Sequence, residues 1–354
     1  MSKQAKLALT LAGVLTASMF LTGCGLFGKD KESLDPPGEV THLKEGENLE
    51  TSPETETTAE ENTDTVMRDI YLIDKNGYVV AQSLPLPQIK GIAKEALMHL
   101  VSDGPISDML PNGFRTAIPA GTEVDVDIQD GVATVDFSEE FTSYEEKDEQ
   151  NILESITWTL TQFDSVNSVV LKVNGYPLTE MPKGGTPISD KGLSRADGIN
   201  IDYADVGDIT NTRPVTVYYL GQSDEKPYYV PVTRRVSNSE KNDITAVINQ
   251  LVEGPGLQTE LASALHNDVQ LIEEPSIGEG NVTLNFNEFI LGNSNEEKII
   301  SNETLESIVL SLTEQEGIES VSIAVDGAEE IVNEQGEPLT APVTRPEKVN
   351  TGSF

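Results

Sequence analysis

Two halves of this chain repeat one another, and that constrains its fold more than any other feature. Gly131-Val132-Ala133-Thr134-Val135-Asp136-Phe137 returns as Gly280-Asn281-Val282-Thr283-Leu284-Asn285-Phe286. Leu153-Glu154-Ser155-Ile156 returns unchanged as Leu305-Glu306-Ser307-Ile308. Val166-Asn167-Ser168-Val169 matches Ile318-Glu319-Ser320-Val321, and Leu100-Val101-Ser102-Asp103-Gly104-Pro105 matches Leu251-Val252-Glu253-Gly254-Pro255 with one residue dropped. The tails correspond too, Ile199-Asn200 with Val349-Asn350. An offset that stays at about 150 residues through so many segments marks a duplicated structural unit.

Each copy reads the same way. A short strand, Asp69 to Ile73 or Val215 to Leu220, returns as a hairpin at Tyr78 to Ala81 or Tyr228 to Val232. Asn76-Gly77 is a tight-turn signal for the first of these. A helix follows. Ile244, Val247, Ile248, Leu251 and Val252 form one apolar stripe in the second copy, with Ser237 and Glu240 spaced as a capping box. Ile89, Ile92, Ala93, Ala96, Leu97 and Leu100 do the same in the first. Val124, Val126 and Ile128 alternate with acidic residues before Asp130-Gly131 turns the chain back. A second helix from about Lys147 to Phe163 and a strand from Ser168 to Val173 complete the unit. The expected fold is α+β: tandem β-β-α-β-β-α-β domains over residues 65–200 and 212–350, with two helices packed on a small mixed sheet in each. Residues 201–211 read as a linker and 351–354 as a tail.

The N-terminus is of a different kind. Lys3 and Lys6 precede an apolar run from Leu7 to Leu21, which ends at Leu21-Thr22-Gly23-Cys24. The run is about 15 residues, short of the roughly 20 that span a bilayer. It reads as a signal segment over residues 1–23, cleaved before Cys24. This is similar to a bacterial lipoprotein signal, which implies a diacylated, palmitate-bearing Cys24 as the mature N-terminus. Cys24 is the only cysteine, so no disulfide is available. Residues 24–64 then read as an acidic, disordered tether, with 12 acidic and 3 basic residues between Gly25 and Thr65. The chain is expected outside the cytoplasm, held to the membrane through lipid alone.

Composition narrows the partners. Sixty acidic and 23 basic residues give a formal net charge of −37. Such a surface repels nucleic acid and anionic lipid headgroups. Catalysis finds no foothold. His42, His99 and His266 have no metal-ligand spacing, and His99, Ser102 and Asp103 are neighbours on one helix rather than a convergent triad. There is no phosphate-binding loop and no nucleophile elbow. Asp125 to Gly131 fails as a calcium loop, because the turn glycine is the seventh residue rather than the sixth. No cofactor and no metal are expected. Asp202, Asp205 and Asp208 read as solvent-exposed linker residues.

The candidate interface residues are apolar and aromatic. Tyr218, Tyr219, Tyr228 and Tyr229 flank one hairpin, and adjacent strand residues point to opposite faces. One of each pair is available either as a half-buried strand aromatic or as an anchor for a protein or glycan, with Arg234 and Arg235 adding polar contacts. Trp158 and Leu310 each lie five residues after the first leucine of the second helix, Leu153 or Leu305, about 140° round from it at 100° per residue and on the side opposite the core stripe. They are expected at a contact between domains or with a partner.

With its lipoprotein signal, its acidic tether and both copies of these motifs, the chain resembles the GerMN-domain lipoproteins of sporulation and spore germination. The segments that carry the likeness are Leu251 to Pro255, Val282 to Phe286, Leu305 to Ile308, Val321 to Val325 and Pro338 through Asn350, with their counterparts in the first copy. The resemblance implies a non-enzymatic assembly role in the complex joining mother cell and forespore. It implies other sporulation envelope proteins as partners, with self-association in the manner of ring-forming modules. It places the chain on the mother-cell membrane facing the forespore. Two other readings remain open: a cell-envelope module that binds peptidoglycan through the tyrosine hairpins, and the solute-binding lipoprotein of a transporter.

Overall fold

Asp74 decides where the first strand turns. Its carboxylate accepts hydrogen bonds from the backbone N–H groups of Asn76 and Tyr78, both at 2.8 Å. Gly77 takes a φ of 88° within that turn, a conformation open to glycine at no steric cost. The result is the hairpin of β1 (Thr65–Ile73) and β2 (Val79–Pro87). A computed structural model of the chain describes residues 64–203, 209–223, 226–240, 242–292, 298–328 and 330–350. The expected signal segment, the expected lipidation site Cys24, the expected tether up to residue 63, Asp205, Asp208 and the expected tail at 351–354 lie outside the described residues.

The first repeat continues with α1 (Ile92–Met98), β3 (Val124–Gln129), β4 (Val132–Phe137), α2 (Glu149–Leu160), β5 (Ser168–Val173) and a short β6 (Tyr176–Pro177). Asp130 and Gly131 both adopt positive φ, 50° and 82°, as a two-residue hairpin that follows strand twist requires. The second repeat runs β7 (Thr212–Gln222), β8 (Pro227–Ser237), α3 (Asp243–Glu253), β9 (Ser276–Gly278), β10 (Asn281–Phe286), α4 (Asn302–Leu312), β11 (Ser320–Val325) and β12 (Val343–Thr344). In each repeat the hairpin is followed by a mixed sheet, of order β3-β4-β5-β6 or β9-β10-β11-β12, whose central pair is parallel. The fold is α+β and duplicated.

Three details differ from the expectation. The opening hairpins, β1–β2 and β7–β8, are two-stranded sheets of their own. They do not join the mixed sheet, because the outer edges of β2 and β8 are bonded to chain tails, as described below. Helix α1 begins at Ile92 rather than Ile89, since Gly91 takes a left-handed φ of 87° just before it. Helix α3 is capped by the Asn242 side chain, which accepts from Ile244 N at 2.9 Å. Ser237 cannot form the expected capping box because it is still the last residue of β8.

Apolar stripes and alternating strands build one core per repeat. Ile152, Ile156 and Leu160 of α2 pack with Val135, Phe137 and Leu171, while Ile308 and Leu312 of α4 pack with Leu284, Phe286 and Ile323. A third cluster draws on both repeats. The two repeats accordingly form one compact unit.

Candidate protein-interaction site at the seam between the repeats

The tail of each repeat leaves its own domain and bonds the hairpin of the other. Ile199 follows the first repeat yet pairs with Thr233 of β8: Thr233 N donates to its carbonyl at 2.8 Å, and Ile199 N donates to Thr233 Oγ1 at 2.9 Å. Val349, at the end of the second repeat, pairs with Ser83 of β2 in the same manner, at 3.1 and 2.7 Å. The next residue of each tail is an asparagine in the left-handed region, φ 46° at Asn200 and 54° at Asn350.

These two asparagines complete the seam. Asn200 accepts from Val79 N and donates to the carbonyls of Val79 and Pro231, at 2.8, 2.8 and 2.7 Å. Asn350 accepts from Tyr229 N and donates to the carbonyls of Tyr229 and Ala81, at 2.7, 2.7 and 3.0 Å. Val79 and Tyr229 are equivalent positions of the repeat, as are Ala81 and Pro231. Each asparagine therefore grips β2 and β8 together, and the pattern is self-complementary, like an isologous dimer interface. A side-chain amide supplies both a donor and an acceptor, so it can satisfy strand-edge groups that would otherwise be left unpaired.

Beneath the seam lies the shared core. Tyr71, Ile73, Val79, Ala81 and Trp158 of repeat one meet Tyr218, Leu310 and Val349 of repeat two. Tyr71 and Trp158 pack with ring centroids 5.6 Å apart, and Trp158 Nε1 donates to the Gly198 carbonyl at 3.1 Å. Each helix also holds its hairpin through a hydroxyl: Tyr71 N donates to Thr159 Oγ1 and Tyr218 N to Ser311 Oγ. Burial pushes the Tyr71 phenol up to about 12 and the Tyr218 phenol well above its ordinary value.

One margin of this core is charged. Glu314 accepts from Arg195 Nη1 at 2.6 Å and from the Tyr218 hydroxyl at 2.8 Å, and Arg345 Nη2 lies 3.0 Å away. Arg195 stacks 4.3 Å over the Trp158 ring. Burial alone would raise the Glu314 carboxyl, but Arg195 and Arg345 outweigh it and hold the group below its usual range. Asp69 nearby is raised by burial, against the lowering effect of its hydrogen bond from Ser83.

The family description "Sporulation and spore germination" (Germane) matches residues 69–179 and 216–331, the two repeats in turn. The chain belongs to the Germane family. This family member is 53% identical over 97% of its length to "Spore germination protein GerM" of Bacillus subtilis (strain 168), and it covers 97% of that protein. It is also similar to the solved structure "Tandem GerMN domains of the sporulation protein GerM from Bacillus subtilis", with TM-score 0.77 and 56% identity over 82% of this chain and all of the other. A structure of the first GerMN domain of that protein is 62% identical over 37% of this chain, with TM-score 0.36. None of these names describes an enzyme.

In this Germane chain the candidate residues fall into two groups. Trp158, Leu310 and Tyr218 are fully buried in the shared core, and Tyr229 packs against it. Tyr219 and Tyr228 lie in the core of repeat two, where the Tyr219 hydroxyl donates to the Gln250 carbonyl and Tyr228 reaches Asp74 of repeat one. The reading of Tyr218, Tyr219 or Tyr228 as an outward anchor is corrected: the second repeat's helices cover one face of the hairpin and the seam covers the other. Arg234 is buried, donates to the Gly254 carbonyl and pairs with Asp202 at 3.8 Å, while Arg235 binds Thr212. Asp202 is thus a half-buried partner rather than an exposed linker residue. Sequence reasoning missed Asn200, Asn350, Arg195, Arg345 and Glu314, although the recurrence of Ile199-Asn200 as Val349-Asn350 was the available signal.

Among the described residues no group of three or more His, Cys, Asp or Glu side chains could hold a metal ion, and no helix is long and apolar enough to cross a membrane. The chemistry at the seam is recognition between protein surfaces. Its Glu314 carboxylate is paired with the Arg195 and Arg345 guanidiniums.

Proposed function

We propose that this chain is a non-catalytic sporulation and germination protein, anchored by lipid at Cys24, that assembles with other envelope proteins between mother cell and forespore. The single observation that carries this reading is the 53% identity over 97% of the chain to a spore germination protein. The seam supports it physically. Two duplicated modules locked through exchanged tails offer a partner one composite surface, so binding costs less ordering than it would with two loose domains.

Complementation tests the role. Expression in a Bacillus subtilis strain lacking GerM is expected to restore sporulation and germination, and the Cys24→Ala variant is expected to accumulate unprocessed or released and to fail. Full rescue by Cys24→Ala would remove the lipid anchor from the account. No rescue by the wild-type chain, despite stable expression, would remove the assembly role. Affinity purification from sporulating cells then identifies the partners.

A further inference from the structure

Away from the shared core, the Asp74 turn of the first hairpin and the neighbouring ends of β7 and β8 border a cleft with a volume of about 620 Å³, within the range of small-ligand sites. Asp74 and Phe114 line it from repeat one, and Tyr228, Tyr229 and Glu306 from repeat two. Gln82 lies in its wall. This residue sits in the apolar row of β2, between Val80 and Leu84, and is only 2% exposed. Its side-chain amide has no hydrogen-bond partner among the described residues. The equivalent position of repeat two is Val232, buried in that repeat's core. The fold therefore accepts an apolar residue at this place, and Gln82 instead brings an amide to the cleft wall.

The rim has its own character. Lys75, Lys226 and Lys348 stand exposed around the cleft, in a chain with only 23 basic residues and a net charge of −37. The Tyr228 hydroxyl donates to Asp74 Oδ2 at 2.6 Å, so its lone pairs remain for a ligand's donors. Asn112, Gln222 and Asn302 add further neutral amides. We propose that this cleft binds a glycan–peptide carrying acetamido and carboxylate groups, the chemistry of a peptidoglycan fragment. The Gln82 amide pairs donor to acceptor with an acetamido group, the lysines meet the carboxylates, and Phe114 and Tyr229 pack against the sugar. An acidic peptide shares the amides and carboxylates but has few hydroxyls to use so many neutral polar side chains. The inference goes beyond the assembly role and does not depend on it.

Calorimetric titration of the full lipidated chain in detergent with a purified disaccharide–tetrapeptide muropeptide tests it. Wild-type binding is expected. Gln82→Leu, which the Val232 equivalence says will fold, should weaken binding about tenfold, the scale of one well-placed hydrogen bond. Combined Lys75→Gln, Lys226→Gln and Lys348→Gln should weaken it at least as much and flatten its salt dependence. Circular dichroism checks that each variant keeps the wild-type fold. No binding by the wild type, unchanged affinity in the folded Gln82→Leu variant, or tighter binding of a Glu/Ser hexapeptide than of the muropeptide would each overturn the proposal. The last outcome would assign the cleft to a protein segment.

Discussion

Repeat one places Gln162 where repeat two places Glu314, and the exchange changes how each half of the seam is held. The Gln162 amide accepts from Asp69 N at 2.9 Å and donates to the Asp69 carbonyl at 2.6 Å, all within its own repeat. Glu314 instead gathers Arg195 from repeat one and Arg345 and Tyr218 from repeat two. The backbone plan at the seam is common to both halves, with tails exchanged and one asparagine in each. The side chains around it have diverged into a neutral local clamp and a charged clamp across the repeats. The shared backbone plan gives an interface that fits itself, and the Glu314 cluster adds a charged tie between the two copies.

The largest expected effect breaks the shared core. Trp158→Ala should cost the whole chain about 3–5 kcal/mol and Leu310→Ala about 2–5 kcal/mol in denaturant unfolding, since each empties a fully buried position. A loss below about 1 kcal/mol for Trp158→Ala would mean the ring is not part of what joins the repeats.

The charged clamp comes next. Glu314→Ala should cost about 3 kcal/mol, the lower end for a buried pair, because the two arginines keep 32% and 27% of their side-chain surface exposed. Gln162→Ala should cost only about 1 kcal/mol. Equal losses at the two positions would erase the contrast drawn between the halves. Asn200→Ala and Asn350→Ala sharpen the other side of the comparison. Each should cost about 1–2 kcal/mol, from unpairing buried strand-edge groups, and the two values should agree within roughly 0.5 kcal/mol because the bonding patterns match. Urea unfolding of each variant provides the check.

The smallest effect separates the repeats by acid. Glu149, the first residue of α2, is held down to about 2: burial opposes this, but the N–H groups of Gly184 and Thr186 and the hydroxyls of Thr186 and Tyr144 outweigh it. Repeat two has Ser301 at the matching position, a neutral cap accepting from Thr304 N. A depressed carboxyl adds stability that is fully present above its unfolded value, near 4.5, and is lost as pH falls toward 2. Acid should therefore loosen the Lys183–Thr186 loop of repeat one before any counterpart in repeat two. NMR titration showing both repeats responding together from pH 5 downward would contradict this.

Much of the fold was legible because its signals are local. The hairpin turns at Asn76-Gly77 and Asp130-Gly131, the stripes of α2 and α3, and the repeat itself are readable over short stretches. Trp158 and Leu310 could be flagged by helical phase alone. The seam was not legible for a physical reason. Asn200 acts on strands 121 and 31 positions away and Asn350 on strands 121 and 269 positions away, and no periodicity reports pairings of that kind. The tyrosines misled because strand alternation shows that a second face exists without showing what covers it. Ile89 and Ser237 misled differently, since backbone geometry at Gly91 and the length of β8 overrode good local signals.

The central claim is that the two repeats form one body through exchanged tails and a common core. Scanning calorimetry of the chain tests it most directly. The account predicts one transition in which the calorimetric and van't Hoff enthalpies agree, and its separation into two in the Asn200→Ala/Asn350→Ala/Glu314→Ala variant. Two independent transitions in the wild-type chain, one for each repeat, would contradict it.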